Sequence, residues 1–355
     1  MTSLPSRFTR HSRTQVRAAV IAALLASCFA GTPRPALAAE EVNIYSYREP
    51  QLIDPLLKDF TARTGIKINM IFAKDGLVER LTAEGRNSPA DVLLTNEFGL
   101  LIQAKAAGVT QAVKDDKLEA AIPANLRDPD GHWFGLTRRA RVAYVSKERV
   151  KQPAITYEEL AAPQWKGKVC IRSGQHTYNV ALVASMIAQH GEAKAEEWLK
   201  GLKANLARKP SGGDREAVRD VAAGLCDIAI GNTYYMAAML KNPDQKAWAD
   251  AVRIVFPNAA DRGTHINISG VALAANAPNK GNAVKLMEFL ASPDAQKVYA
   301  DVNGEYPVTA GVAPSALVAG WGELKADATP LARIGALRKA ASEMIDRVKF
   351  DAGPQ

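Results

Sequence analysis

The chain has 355 residues, with 45 Lys and Arg against 37 Asp and Glu and an aromatic content of 6%. The basic excess belongs mostly to the first 38 residues, which hold five arginines and no acid, so 40 basic residues face 37 acidic ones in the rest. A net charge near +3 in that remainder gives no reason to expect a nucleic-acid or anionic-lipid partner, and the low aromatic content does not suggest base-stacking surfaces.

The first 38 residues have the order of a secretory signal peptide. Four arginines between residues 7 and 17 precede the apolar run AAVIAALLA, and TPRPALA follows it. The small residues of ALA at 36–38 predict cleavage after residue 38 and export to the periplasm. The alternative is a lipoprotein anchored at Cys28, because LASC resembles a lipobox. The length that remains favours two domains.

Predicted strands and helices alternate along the mature chain. VNIYSY predicts a strand, apolar residues at helical spacing from Leu52 to Phe60 predict a helix, and IKINMIFA predicts the next strand. LVERLTAEGRNSPADVLLT repeats the order of helix and buried strand. This alternation predicts an α/β fold with mostly parallel strands.

The pattern changes in the middle of the chain, where GHWFGLTRRARVAYVSKERV predicts an extended stretch. TYEELAAPQWKGKVCIRS predicts a helix, a turn and a strand, and YNVALVASMIAQHG and EAKAEEWLKGLKANL predict helices. DREAVRDVAAGLCDIAIGNTYYMAAML predicts helix, strand and helix, and GNAVKLMEFLASPDAQKVYADV predicts a late helix. Extended crossings near residues 138–145 and 253–273 predict two α/β lobes, one from 39–138 and 259–355 and the other from 139–258. A ligand is expected in the cleft between them.

The mature chain has two cysteines, Cys170 and Cys226, both in short strand-like runs. An oxidising compartment allows them to form a disulfide, which would stabilise the fold by roughly 4 kcal/mol in the chain-entropy model. The alternative is two buried free thiols. Two lone cysteines without partner spacing do not predict a metal site.

Three segments resemble the periplasmic ferric-iron-binding proteins of bacterial ABC importers. They are PQWKGKVCIRSGQHTYNVALVASMIAQHG, ARKPSGGDREAVRDVAAGLCDIAIGNTYYMAAML and ASPDAQKVYADVNGEYPV. TYN followed by NTYY carries the resemblance to the iron binders. It implies a two-lobed type II periplasmic-binding-protein fold and Fe³⁺ coordinated by Tyr178, Tyr234 and Tyr235. It also implies delivery of ferric iron to an ABC permease of the inner membrane by a monomer.

The chemistry of the three tyrosines agrees with that resemblance. Fe³⁺ is a small, highly charged cation that prefers hard anionic oxygen, which a phenolate supplies. A free phenol has a pKa near ~10, so the metal must displace its proton, and affinity is expected to fall with pH. The junction of a strand and a helix can direct Tyr234 and Tyr235 into one cleft. The alternative is that both tyrosines pack a helix onto its lobe.

The segment SYREP departs from the family pattern, because some members place a His-Tyr pair where this chain has Glu49 and Pro50. The resemblance then implies three tyrosines plus a small synergistic anion such as carbonate. Whether Tyr47 or Glu49 also binds metal stays open. Arg48 is the candidate anion clamp, since a guanidinium offers paired donors to an oxyanion.

Two further arginines of the TRRARV stretch, Arg139 and Arg141, are candidates to neutralise the phenolates, with plain salt bridges as the alternative. No nucleophile elbow, phosphate-binding loop, dinucleotide fingerprint or CxxC motif is present, so an enzyme is not predicted. The rival function is a solute-binding protein for an organic cation or small anion, with the tyrosines as cleft walls.

Overall fold

The computed structural model describes residues 40–354. The predicted signal peptide and the alternative anchor at Cys28 lie outside these residues. Over the described range, no helix combines the length and the apolar character needed to cross a membrane.

Residues 40–354 form ten strands and fourteen α-helices in an alternating order. The strands are β1 (Glu41–Ser46), β2 (Lys67–Phe72), β3 (Val92–Thr95), β4 (Thr110–Gln111), β5 (Phe134–Ser146), β6 (Val169–Cys170), β7 (Ile228–Asn232), β8 (Val252–Val255), β9 (Ile266–Ala274) and β10 (Tyr306–Pro307). The first seven helices are α1 (Asp54–Thr64), α2 (Leu77–Glu84), α3 (Phe98–Ala106), α4 (Asp116–Ala121), α5 (Thr177–His190), α6 (Glu192–Ala204) and α7 (Asp214–Ala222). The other seven are α8 (Tyr234–Lys241), α9 (Pro243–Asp250), α10 (Lys280–Ala291), α11 (Pro293–Asn303), α12 (Ala316–Ala319), α13 (Leu331–Ala336) and α14 (Arg338–Arg347).

The sheet is mixed, with the order β2-β1-β3-β9-β5-β7-β6. Strand β1 pairs parallel with β2 and β3, and β6 pairs parallel with β7. These parallel pairs follow from strand–helix–strand units, because a parallel neighbour needs a crossover connection. The long strands β5 and β9 pair antiparallel with each other and with the neighbours on either side.

Strand β5 belongs to both halves of the molecule. Its first part, through Ala140, pairs with β9, and its second part, from Arg141, pairs with β7. At the change of partner the backbone N–H of Arg141 donates to the carbonyl of His265 at 2.9 Å, and the carbonyl of Ala140 accepts from Thr233 at 3.0 Å. The predicted lobe boundary between residues 138 and 139 falls inside this strand, and the lobe limits stay a prediction.

The helix predicted at TYEELAAP is replaced by two short 3-10 turns, Glu158–Ala161 and Pro163–Trp165. Pro163 has no N–H to donate and disfavours a helical conformation at the residue before it. The apolar side chains of this segment, such as Leu160, are nevertheless buried. The segment therefore contributes to the core without forming a regular helix.

The sulfur atoms of Cys170 and Cys226 are bonded, with the two Cα atoms 5.9 Å apart. Cys170 is the last residue of β6, and Cys226 lies two residues before β7. The disulfide therefore joins β6 to the segment that leads into β7, its parallel neighbour.

Candidate metal centre

Tyr178 stands on the first turn of α5, where the chain leaves β6. The backbone N–H of Tyr178 donates to Nδ1 of His176 at 3.3 Å, and the two rings meet edge to face with centroids 4.6 Å apart. Burial, followed by the nearby positive charge of Arg172, lowers the pKa of His176 to about 3. The imidazole is therefore neutral at physiological pH and can accept this hydrogen bond.

Tyr234 and Tyr235 are the first two residues of α8, directly beyond the end of β7. Their ring centroids are 4.2 Å apart with planes inclined by 34°. The hydroxyl oxygen of Tyr234 lies 3.3 Å from that of Tyr178. Because β6 and β7 are parallel neighbours, the tyrosines that follow them come to the same edge of the sheet.

The three tyrosines line one cleft with a volume of about 450 Å³. The other residues that line it are Arg48, Glu49, Gln51, Leu52, Asn96, Arg139, Arg215, Ala237, Ala238, Lys241, Val302, Asn303 and Glu305. These residues come from both ends of the described chain, so the cleft lies between segments that are distant in sequence. Lys241 bridges it by donating to the carbonyl of Val302 at 2.9 Å.

The phenols of Tyr234 and Tyr235 hold their protons in the absence of a metal. Burial, reinforced by the neighbouring tyrosines, raises the pKa of Tyr234 well above its ordinary value. Burial and then the charge of Asp214 raise the pKa of Tyr235 to about 12. A cation that binds these oxygens as phenolates must therefore release protons.

Guanidinium groups surround the tyrosine rings. The central carbon of Arg139 lies 5.8 Å from the ring centroid of Tyr178 and 5.9 Å from that of Tyr234. Arg215 lies 5.9 Å from the ring of Tyr235. These cations attract the ring faces, and their positive charge would stabilise phenolates formed beside them.

Arg48 and Arg139 meet at one wall of the cleft and share two partners. Both donate to the hydroxyl of Ser269, at 2.6 and 2.8 Å, and both pair with the carboxylate of Glu305. Burial opposes the charge of Arg48 while Glu305 favours it, and the net effect raises the pKa of Arg48. We call Arg48, Arg139 and Glu305 the arginine clamp.

The clamp keeps unused hydrogen-bond donors. Nε and Nη2 of Arg139 and Nε of Arg48 are buried and have no hydrogen-bond partner within residues 40–354. A buried donor without a partner is costly, since it loses its hydrogen bonds to water. Because Arg48 and Arg139 line the cleft, an oxyanion there could accept from these guanidiniums.

Arg141 lies behind the tyrosines instead of in the cleft. Its guanidinium donates to Asp214 at 2.5 Å and to Asn179 at 2.7 Å. Asp214 also accepts the backbone N–H of Asn232, two residues before Tyr234. Arg141 and Asp214 thus join the elements that carry Tyr178 and Tyr234, which is a supporting role for the tyrosines.

Of the two SYREP residues considered as further metal ligands, Tyr47 lies outside the cleft and Glu49 lies on it. The hydroxyl of Tyr47 accepts the backbone N–H of Val78 at 2.9 Å, and Tyr47 is not among the cleft residues. Glu49 is exposed at the cleft, where its carboxylate accepts from Gln51 at 2.5 Å. Tyr47 is therefore directed away from the phenols, and Glu49 lies on the same cleft as they do.

The sequence prediction missed Glu305 and Asp214. Glu305 follows Gly304, which ends α11 in the left-handed conformation with φ 64°. A Cβ atom at Gly304 would collide with Ala237 of α8, the helix that begins with Tyr234 and Tyr235 and is called the tyrosine helix below. Glycine therefore permits both this turn and the close approach of that helix. In the sequence, the only signal for Glu305 is an acidic residue directly after a glycine that ends a helix. That signal does not identify the arginines with which Glu305 pairs.

Among the described residues, other metal-binding groups are not gathered elsewhere. Over residues 40–354, no three His, Cys, Asp or Glu side chains come together as a metal site would require. The cleft therefore offers the phenols of Tyr178, Tyr234 and Tyr235 to a cation, and Glu49 is an exposed carboxylate on the same cleft. Such a set suits a hard, highly charged ion.

The mixed α/β halves, the strands that run between them and the ligand-sized cleft define a two-lobed type II periplasmic binding protein, as predicted. The sequence model of the bacterial extracellular solute-binding proteins matches residues 87–319. The chain belongs to this family.

Several known proteins are similar to this one over most of its length. Iron uptake protein A1 of Synechocystis is 46% identical over 311 residues, which cover 86% of each chain. The crystal structure of apo ferric ion-binding protein A of Pasteurella haemolytica has a TM-score of 0.84 and 53% identity, over 88% of this chain and 99% of that one. A Trichodesmium protein in complex with iron and citrate ligands has a TM-score of 0.84 and 44% identity, over 87% and 99%. The predicted fold and the resemblance to iron-binding proteins are both confirmed.

Proposed function

We propose that this protein binds ferric iron in the periplasm and delivers it to an ABC permease of the inner membrane. The observation that carries the proposal is the convergence of Tyr178, Tyr234 and Tyr235 on one cleft, with two of the hydroxyl oxygens 3.3 Å apart. Three phenolates would neutralise the charge of Fe³⁺ with the donor type that this ion prefers. The relatives named for iron uptake and ferric iron binding support the same function.

Iron binding is coupled to proton release in this proposal. The phenols of Tyr234 and Tyr235 are protonated before binding because their pKa values are raised. Each phenol that becomes a ligand loses one proton, so the affinity for iron falls as pH falls. Without a metal the buried phenols of Tyr234 and Tyr235 are neutral, and the apo cleft therefore avoids the cost of two adjacent anions.

An exogenous anion completes the site. Three tyrosines leave part of the coordination shell of Fe³⁺ unfilled, and the arginine clamp, which has unpartnered donors, lines the same cleft. A small planar oxyanion of the carbonate type, carbonate or bicarbonate, fits this position because it can accept from a guanidinium while another oxygen faces the metal. Arg48 and Arg139 are the anion-binding residues in this arrangement, and Arg141 supports the tyrosines.

Transport requires binding and release, with no chemical step. Iron that contacts Tyr178 and an anion that contacts the clamp would bridge the two walls of the cleft. A ligand with more contacts in the closed state shifts the population toward that state, which the permease can recognise. The protein is proposed to act as a monomeric carrier and not as an enzyme.

Titration of metal-free protein with ferric iron in bicarbonate buffer tests the proposal. We expect one iron per chain and a visible phenolate-to-iron charge-transfer band. The rival function, binding of an organic cation or free anion between aromatic walls, predicts neither. A colourless protein that binds no ferric iron would reject the proposed function.

A further inference from the structure

Glu305 occupies a position in the cleft that the proposed function does not explain. Its side chain is buried, its carboxylate pairs with both Arg48 and Arg139, and it lines the same cleft as the tyrosines. An oxyanion bound by the clamp must accept hydrogen bonds from the two guanidiniums that Glu305 already contacts. Glu305 and the anion therefore share one pair of arginines.

The buried charges determine what the clamp can accept. Arg48, Arg139 and Glu305 are all nearly inaccessible to solvent, with exposures of 4%, 2% and 4%. Charges buried in this way are screened far less than the exposed charges of Glu49 and Lys241 on the same cleft. Two guanidiniums and one carboxylate leave a single net positive charge.

We infer that Glu305 determines the charge of the synergistic anion. With one guanidinium charge already neutralised, the clamp matches a singly charged oxyanion such as bicarbonate. A doubly charged oxyanion such as hydrogenphosphate would leave an uncompensated buried charge beside Glu305, which is unfavourable. This inference rests on the proposed iron site, since it concerns the anion that completes it.

The position of Glu305 is built into the fold. Gly304 allows the left-handed turn that directs the chain from α11 toward β10, and it does so in contact with Ala237 on the tyrosine helix. The turn therefore sets the backbone position of Glu305, and the two arginines hold its carboxylate. A carboxylate held in this way lies beside any anion that the same arginines bind, so its charge can act in selection.

The test compares metal-free wild type with Glu305→Gln, which removes the charge and keeps the shape. Thermal midpoints are measured near pH 8 in bicarbonate or inorganic phosphate, with sodium chloride at equal ionic strength as the reference. We expect wild type to favour bicarbonate, and Glu305→Gln to raise the ratio of phosphate to bicarbonate affinity at least about tenfold above that of wild type. Glu305→Asp, which keeps the charge, and Glu49→Gln, which removes an exposed charge from the same cleft, should both retain the wild-type preference.

An unchanged ratio of phosphate to bicarbonate affinity in Glu305→Gln would overturn the inference. If this variant does not fold in chloride, rescue by phosphate at equal ionic strength supports the inference, and lack of rescue by either anion opposes it. Iron titrations in each anion separate this result from the proposed function. A raised ratio of phosphate to bicarbonate affinity in Glu305→Gln protein that never binds iron would reject the iron site alone, and normal iron binding with an unchanged ratio would reject the role of Glu305 alone.

Discussion

Replacing Tyr235 by Phe removes one oxygen atom and retains the ring that lies against Tyr234, with centroids 4.2 Å apart. If Tyr235 is a phenolate ligand, the variant loses a hard anionic donor while the packing of α8 is kept. We expect the affinity for Fe³⁺ to fall at least about tenfold, which corresponds to about 1.4 kcal/mol. Thermal stability without iron should change little.

This magnitude is a net value, because the phenol resists ionisation. With the pKa of Tyr235 at about 12, deprotonation near pH 7.5 costs roughly 6 kcal/mol at about 1.4 kcal/mol per pH unit. The iron–oxygen bond contributes to affinity only by the amount by which its free energy exceeds that cost. The affinity lost in Tyr235→Phe is therefore smaller than the strength of the bond. The same proton gives a clearer signal, since its release makes affinity depend on pH.

The assay is competition for iron against a chelator calibrated at each pH between about 6 and 8, well below the raised phenol pKa. The slope of log affinity against pH should be smaller by about one in Tyr235→Phe than in wild type, because one fewer proton is released. Tyr47→Phe is the matched control, since the hydroxyl of Tyr47 accepts from Val78 and is directed away from the cleft. A Tyr235→Phe variant with wild-type affinity and an unchanged slope would refute the assignment of this phenol as a ligand.

Further predictions concern the anion, the disulfide and the oxidation state of iron. Arg139→Ala and Arg48→Ala should each weaken iron binding and abolish its dependence on added bicarbonate, whereas Glu49→Gln should do less; loss of iron in Glu49→Gln with bicarbonate dependence intact would make Glu49 a ligand. Cys170 and Cys226 should not react with thiol reagents in unreduced, denatured protein, and replacing both by Ala should lower the free energy of unfolding by about 4 kcal/mol; two reactive thiols per chain would contradict the bond. Dithionite should release the metal and bleach the colour, because Fe²⁺ binds hard anionic oxygen less strongly; iron retained after full reduction would count against a phenolate site.

Local patterns predict the regular elements well, because periodicity is a property of neighbouring residues. The apolar residues of YNVALVASMIAQHG predict a largely buried helix. In the structure α5 is that helix, and most of its residues are buried. The prediction of a helix at TYEELAAP was wrong because it rested on local periodicity alone. Its apolar spacing is helical, but the restriction that Pro163 imposes on the preceding residue outweighs that spacing.

The candidate site was predictable only in part, because its contacts join distant residues. Tyr178 and Tyr234 are 56 residues apart, and their meeting follows from β6 and β7 being parallel neighbours, a pairing that local patterns do not reveal. The resemblance to a known family supplied it. Arg48 and Glu305 are 257 residues apart, and nothing in either local segment indicates that they pair.

Strand β5 has a consequence for how motion of this protein can be observed. The two halves meet within a strand whose backbone is hydrogen-bonded on both sides of the change of partner, at Ala140 and Arg141. Amide protons held in such a ladder exchange slowly with solvent. Opening and closing about β5 would therefore occur without local unfolding, and hydrogen-exchange experiments that search for a poorly protected hinge would find the pivot among the most protected amides of the chain.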